Sequence, residues 1–147
     1  MKRILSLFLL SLGGCGLLQA EHQIPVSKEK LPLESQQFIE QNFPDAQITR
    51  TVQEKEALRR NYTVWLDNGI ILEFEKEGKW KEIHSNGYAP IPFTLIPERI
   101  RTYVADNYPA RTIVEIERAR NSQLQVELDN GTEILFNRFY KVVEIDD

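Results

Sequence analysis

The chain contains one pattern twice, and nothing else in it constrains the fold as tightly. Asn42-Phe43-Pro44-Asp45-Ala46 is echoed by Asn107-Tyr108-Pro109-Ala110, and Leu66-Asp67-Asn68-Gly69 by Leu128-Asp129-Asn130-Gly131. Leu31-Pro32 returns as Ile96-Pro97, and Ile83 returns as Ile145. The offset is 65 residues in the first half of the pattern and 62 in the second. Three residues are therefore absent from the second copy, and the loop before its second strand is the expected place. A period of this length means one supersecondary unit written twice.

Each copy reads as a helix followed by strands. In the second copy Pro97 stands where a first-turn proline is tolerated, and Glu98 lies near the positive end of the helix dipole. Ile100, Tyr103, Val104 and Tyr108 then recur at helical spacing; Ser35, Phe38, Ile39 and Phe43 hold the same places in the first copy. The helices are expected to stop at Asn42 and Asn107, because a proline two residues on disfavours helical geometry before it. Tyr62, Val64 and Leu66 alternate with more polar residues, as do Leu124, Val126 and Leu128. Alternation of period two marks a strand with one buried face. The Asn-Gly pairs that follow predict hairpins with type I′ turns. Leu72 and Phe74, and then Ile134 and Phe136, continue the buried face. Further strands are expected around 48–53, 79–83, 113–118 and 139–145. The expected fold class is thus α+β: two tandem repeats, each one helix on a four-stranded antiparallel sheet. The repeats span 31–84 and 97–147, preceded by an N-terminal tail at 21–30. Residues 85–96, with two prolines and a glycine, read as a stiff linker. A unit of about 55 residues is marginal alone, so the copies are expected to pack together or pair their sheets.

The first 20 residues read as a signal peptide. Lys2 and Arg3 precede an apolar stretch from Ile4 to Leu12 that is too short to span a bilayer comfortably. Cleavage after Leu18-Gln19-Ala20 leaves Glu21 first; the alternative is lipoprotein processing at Cys15. The apolar residues after Cys15 favour ordinary cleavage. An exported, periplasmic protein is expected, with no transmembrane segment once the signal is removed. Loss of residues 1–20 removes two positive charges and no negative ones, taking the formal charge from −4 to −6. An acidic chain with interspersed charges lacks the basic stripe that neutralises phosphates, so nucleic acid is excluded as a partner. Cys15 is the one cysteine, so no disulfide is available.

A helix ending in Phe43-Pro44-Asp45-Ala46, then Leu66-Asp67-Asn68-Gly69, Glu73-Phe74 and Gly78-Lys79-Trp80-Lys81, resembles the PepSY-like family of exported proteins, described as β-lactamase-inhibitor-like. The likeness runs from about residue 24 to the C-terminus. The second copy departs from it in carrying Tyr140 and Val142 where the first has Gly78 and Trp80. The resemblance implies a helix-on-sheet repeat outside the cytoplasm with a binding or inhibitory role. It brings no catalytic residues.

Chemistry-bearing residues are sparse. His22 and His84 are the only histidines and do not form a converging ligand set. Glu73, Glu75 and Glu77 read as the solvated side of a strand. No serine sits in a nucleophile elbow, and no glycine-rich phosphate loop is present. No enzyme, cofactor or metal site is expected. The outward-facing positions of the first repeat are more informative. Thr63, Trp65, Ile71 and Glu73 point away from the helix, and Trp65 and Ile71 are unusual on a solvated face. Trp80 is expected near them. The matching positions of the second repeat include the polar Gln125, Glu127 and Glu133. Trp65, Ile71 and Trp80 are therefore the candidate binding residues for a protein or peptide partner. Two other readings stay open: a homodimer through the same face, and a small-ligand carrier with a pocket between the repeats. Cover by the linker, through Tyr88, Ile91 and Phe93, would remove the surface altogether.

Overall fold

The computed structural model describes residues 23–56 and 59–147. The elements in chain order are β1 (Gln23–Pro25), α1 (Leu33–Asn42), β2 (Ile48–Glu56), β3 (Arg59–Leu66), β4 (Ile70–Phe74), β5 (Trp80–Ser85), α2 (Glu98–Asn107), β6 (Ile113–Arg118), β7 (Leu124–Leu128), β8 (Glu133–Phe136) and β9 (Val142–Asp146). All pairings are antiparallel, and the order of strands in space is their order in the chain. The expected signal peptide at 1–20 and Cys15 lie outside the described residues.

The sheet is continuous, and in this the fold differs from two separate four-stranded sheets. β5 pairs with β6 through Glu82↔Glu117, Ile83↔Ile116 and His84↔Glu115. The physical reason is the one that makes a short unit marginal. A β5 left at an edge would present unpaired backbone groups, and pairing it with β6 also joins two small cores into one. That core lies on one side of the sheet. Leu72, Ile83, Ile116, Val126 and Ile134 form a single row across five strands and are fully buried. Phe74 and Phe136 stand one step along the same face, and both are buried.

The two helices cover this face in matching ways. Both are ten residues long and begin after a proline with extended backbone, Pro32 or Pro97. Phe38 of α1 meets Phe74 edge to face at 5.7 Å, and Tyr103 of α2 meets Phe136 at 5.6 Å. Bulges recur too. The β2–β3 bulge at Ile48/Arg50 lies 65 residues before the β6–β7 bulge at Ile113/Glu115. The β4–β5 bulge lies 62 residues before the β8–β9 bulge. The three-residue difference falls at the hairpin tip between β6 and β7, where Asn121 and Ser122 take positive φ.

Three local expectations need revision. The Asn-Gly hairpins are present, but Asn68 and Asn130 do not take positive φ; Gly69 (φ 85°) and Gly131 (φ 87°) do so alone within their turns. The glycine N–H of each turn donates to the carbonyl of Leu66 or Leu128. The Asn68 side chain accepts from the N–H of Ile70, which holds the asparagine in ordinary geometry. These are type I turns closed by a left-handed glycine, not type I′ turns. The stretch expected as an N-terminal tail contains β1. The linker is not merely a spacer, since Ile91 and Ile96 enter the core.

Gly78 explains the Gly-x-Trp segment. It has φ 106°, and a Cβ there would lie 2.9 Å from the Cβ of Pro32 and 3.0 Å from that of Glu34. Its carbonyl accepts a hydrogen bond from the Ser35 hydroxyl at 3.0 Å. The start of α1 therefore rests directly on this backbone. Gly78→Ala is expected to destabilise the chain by roughly 2 kcal/mol or more, from strain together with a steric clash. Urea unfolding would measure it, and a change under about 0.5 kcal/mol, the size of a neutral surface substitution, would refute the close packing. Tyr140 occupies the corresponding place in the second half, with φ 60°.

Candidate functional site

The pleat sends alternate residues to the face that carries no helix. Two rows cross it. One runs Arg50, Trp65, Ile71, His84, Glu115, Glu127, Glu133 and Asp146. The other runs Val52, Thr63, Glu73, Glu82, Glu117, Gln125, Leu135 and Glu144. Trp65 and Ile71 are direct cross-strand partners here, both half-buried, as the alternation of the sequence predicts. The Arg50 guanidinium lies over the Trp65 ring at 4.7 Å. The linker does not cover them: Tyr88 is 88% exposed and Phe93 71%, while Ile91 joins the core on the opposite side.

Trp80 does not join this pair. It is opposite Phe74, so it points to the helix side. There it packs against Phe38 at 6.4 Å, with the Arg118 guanidinium 4.2 Å above its ring. The β4–β5 bulge is the cause. An extra residue shifts the alternation between Glu82 and Trp80, and counting by twos through a bulge gives the wrong face. Trp80 instead lines a shallow groove with Glu34, Phe38, Lys79 and Arg118.

The same bulge aims Lys81 and Glu82 both toward Glu73. Lys81 Nζ is 3.4 Å from a Glu73 carboxylate oxygen. Glu82 lies on the central strand of the sheet and is 2% exposed. Around it stand Glu73, Glu115 and Glu117. Burial, followed by repulsion from Glu115, Glu73 and Glu117, pushes the Glu82 carboxyl up to about 8. Burial also raises Glu73, although Lys81 works against it. Glu117, Glu127 and Glu133 are raised as well, first by burial and then by neighbouring carboxylates, with Lys81 opposing the rise at Glu117 and His84 at Glu127. Burial alone would lower Lys81, but Glu73 and Glu117 hold its ammonium above its ordinary value. His84 Nδ1 lies 3.1 Å from Glu115 Oε2 across the β5–β6 seam.

Glu82, Glu115 and Glu117 can each place one carboxylate oxygen within 4.8 Å of the others. Sequence reasoning missed this group. Glu82 is more than 30 residues from Glu115 and Glu117 in the chain and meets them only because β5 pairs with β6. Glu73 belongs to the same acidic field, whereas Glu75 and Glu77 lie beyond the strand and are exposed. Such a surface can attract cations or basic side chains and repel anions. Among the described residues, no helix is long and apolar enough to cross a membrane.

Comparison with known proteins agrees with this architecture. Residues 60–144 match a family model described as "Putative beta-lactamase-inhibitor-like, PepSY-like". That match runs from β3 to β9 and so crosses the seam. A crystal structure of a "putative periplasmic protein" of the DUF2874 family from Bacteroides vulgatus is 35% identical, with a TM-score of 0.77. The alignment covers 87% of this chain and 99% of that one. A "putative calcium-regulated periplasmic protein" from Bacteroides thetaiotaomicron is 33% identical, covering 85% of this chain and 97% of that one, with a TM-score of 0.78. A further structure from B. vulgatus, described as a "putative periplasmic protein of unknown function", is 31% identical over 85% of this chain and 99% of its own, also with a TM-score of 0.78. No curated protein matches the chain. None of these descriptions names an enzyme. With the fold, the seam and the family model in agreement over most of the described residues, the chain belongs to the PepSY-like family.

Proposed function

We propose that this protein is an exported, periplasmic and non-enzymatic binding module, built from two copies of one helix-and-strand unit. Its ligand is an extended, basic segment of a partner protein, which lies on the helix-free face of the sheet. The observation that carries this reading is the gathering of raised carboxylates around Glu82. Burying carboxylates beside one another costs stability, and the hydrophobic core on the other face gains nothing from it. A positively charged ligand relieves that cost on binding. Trp65 and Ile71, in the neighbouring row that also holds Glu115, supply apolar anchors beside the acidic field. Trp80 is left out of this surface. The signal-peptide pattern and the periplasmic relatives support export.

A lysine-rich extended peptide, with a glutamate-rich peptide of the same length as control, tests the reading by fluorescence anisotropy. The basic peptide is expected to bind more tightly, and added salt should weaken it. Trp65→Ala is expected to weaken binding while shifting the thermal midpoint by less than roughly 5 °C. Equal binding of both peptides would end the proposal. Unfolding by Trp65→Ala would make that residue core instead.

A second reading is favoured by the group Glu82, Glu115 and Glu117 together with the relative described as calcium-regulated. Calcium takes about 6–8 oxygen ligands, and three carboxylates are the right donor type to begin such a shell. Calcium would then tune the face that receives the peptide. Calcium is expected to raise the thermal midpoint more than equal magnesium, and Glu117→Gln should remove the difference. No response to millimolar calcium would dismiss this second reading and leave the first standing.

A further inference from the structure

The β5–β6 seam inside the molecule describes how one unit receives another, and its counterpart exists at the two ends of the sheet. The offsets and the shared bulges set the correspondence. Glu82, Ile83 and His84 of β5 correspond to Glu144, Ile145 and Asp146 of β9. Glu115, Ile116 and Glu117 of β6 correspond to Arg50, Thr51 and Val52 of β2. Carried over between two molecules, the seam sets Asp146 opposite Arg50, Ile145 opposite Thr51 and Glu144 opposite Val52. The His84–Glu115 pair becomes an Asp–Arg pair of inverted polarity. The like-charged pair Glu82–Glu117 becomes a glutamate beside a valine. At both positions that carry charge, the transplanted seam is as well matched as the internal one, or better.

The two edges are not equally available. β9 is a sheet edge with Val143 53% and Ile145 41% exposed. The β2 edge is covered by β1, whose three exposed residues pair through Gln23↔Glu54, Ile24↔Gln53 and Pro25↔Val52. The N–H of Val26 adds one bond to the carbonyl of Thr51. β1 thus lies over Val52, one of the positions the transplanted seam needs, and its backbone bond takes up Thr51. It is short, and its proline donates no backbone hydrogen bond. Short edge strands and prolines are how sheets are kept from joining edge to edge.

We propose that β1 is a guard strand over the β2 edge, and that the partner it holds off is β9 of a second copy of this chain, docking head to tail through the geometry that joins β5 to β6. This rests on reading the two halves as copies of one unit, but not on the ligand of the helix-free face. A symmetric pairing of β9 with β9 about Ile145 would set Glu144 opposite Asp146 twice, and like charges directly opposite destabilise. The head-to-tail contact is heterologous, so it leads to rings or filaments instead of a closed pair.

Loosening β1 with Gln23→Pro and Ile24→Pro tests the proposal by light scattering after size exclusion. The loosened chain is expected to associate with rising concentration while the unaltered chain stays monomeric. Adding Asp146→Lys should weaken association roughly tenfold, and adding Arg50→Glu to that variant should restore it. Persistence of the monomer, or association indifferent to Asp146 and Arg50, would overturn the proposal. A labelled peptide of residues 139–147 gives a second reading that does not need two whole chains to associate. It should bind the loosened chain and not the unaltered one, and bind less well once Arg50→Glu is added; equal binding to the loosened and unaltered chains, or none to either, counts against the proposal.

Discussion

Between pH 5 and pH 8 the protein is expected to become less stable, and Glu82→Gln is expected to remove most of that loss. The cause is the carboxyl of Glu82, raised from its ordinary 4.5 to about 8 by burial and by Glu115, Glu73 and Glu117. Between those values the folded chain holds a proton that the unfolded chain releases. The folded state therefore binds more protons, and stability falls as pH rises. The contribution is fully present below the ordinary carboxylate range and is gone once the pH passes about 8. Its size is on the order of a few kcal/mol, spread over a group of interacting carboxylates. Glutamine keeps the shape and loses the acid, so the variant should be the more stable protein at pH 8. Thermal midpoints measured across this range decide the matter. A midpoint that climbs from pH 5 to pH 8 would contradict the buried acid at the centre of the sheet.

Phe74→Ala and Phe136→Ala are each expected to cost about 3–5 kcal/mol, the usual range for emptying a buried phenylalanine site. Both rings are fully buried, and each is gripped edge to face by a helix aromatic. Against a typical total of about 5–15 kcal/mol, either loss is severe. The informative part is the shape of the unfolding curve. One continuous sheet with one core should unfold in a single step, so both substitutions should shift the same urea transition. Two transitions, each sensitive to only one of the substitutions, would mean that the halves unfold separately despite the seam.

Most of the architecture is legible in the amino-acid pattern because its signals are local. Pro32 and Pro97 mark helix starts, Asn42 and Asn107 mark the ends, and Leu72/Phe74 and Ile134/Phe136 announce a buried strand face. The outward orientation of Trp65 and Ile71 follows from the same alternation. The features that escape the sequence depend on partners far away in the chain. β1 is three residues long and becomes a strand only because β2 offers an edge. Trp80 is misplaced by simple alternation because Lys81 is the extra residue of a bulge. The acidic field around Glu82 needs β5 beside β6, and no spacing within either strand announces it. The turn type is a finer case: Asn68 uses its side chain to bind Ile70, and so avoids the left-handed geometry that its neighbour Gly69 adopts.

The order of the strands has a kinetic consequence. Every strand pairs with its neighbour in sequence, and six of the eight junctions are joined by 2–5 residues. The other two, β1 to β2 and β5 to β6, each enclose a helix, which shortens the span that must be closed once that helix has formed. Such a meander has a low mean sequence separation for a sheet protein, and low separation goes with rapid folding. The slowest event should be the closing of β5 onto β6, which brings His84 to Glu115. Substitutions at that seam should slow folding, whereas substitutions in β1 should mainly speed unfolding.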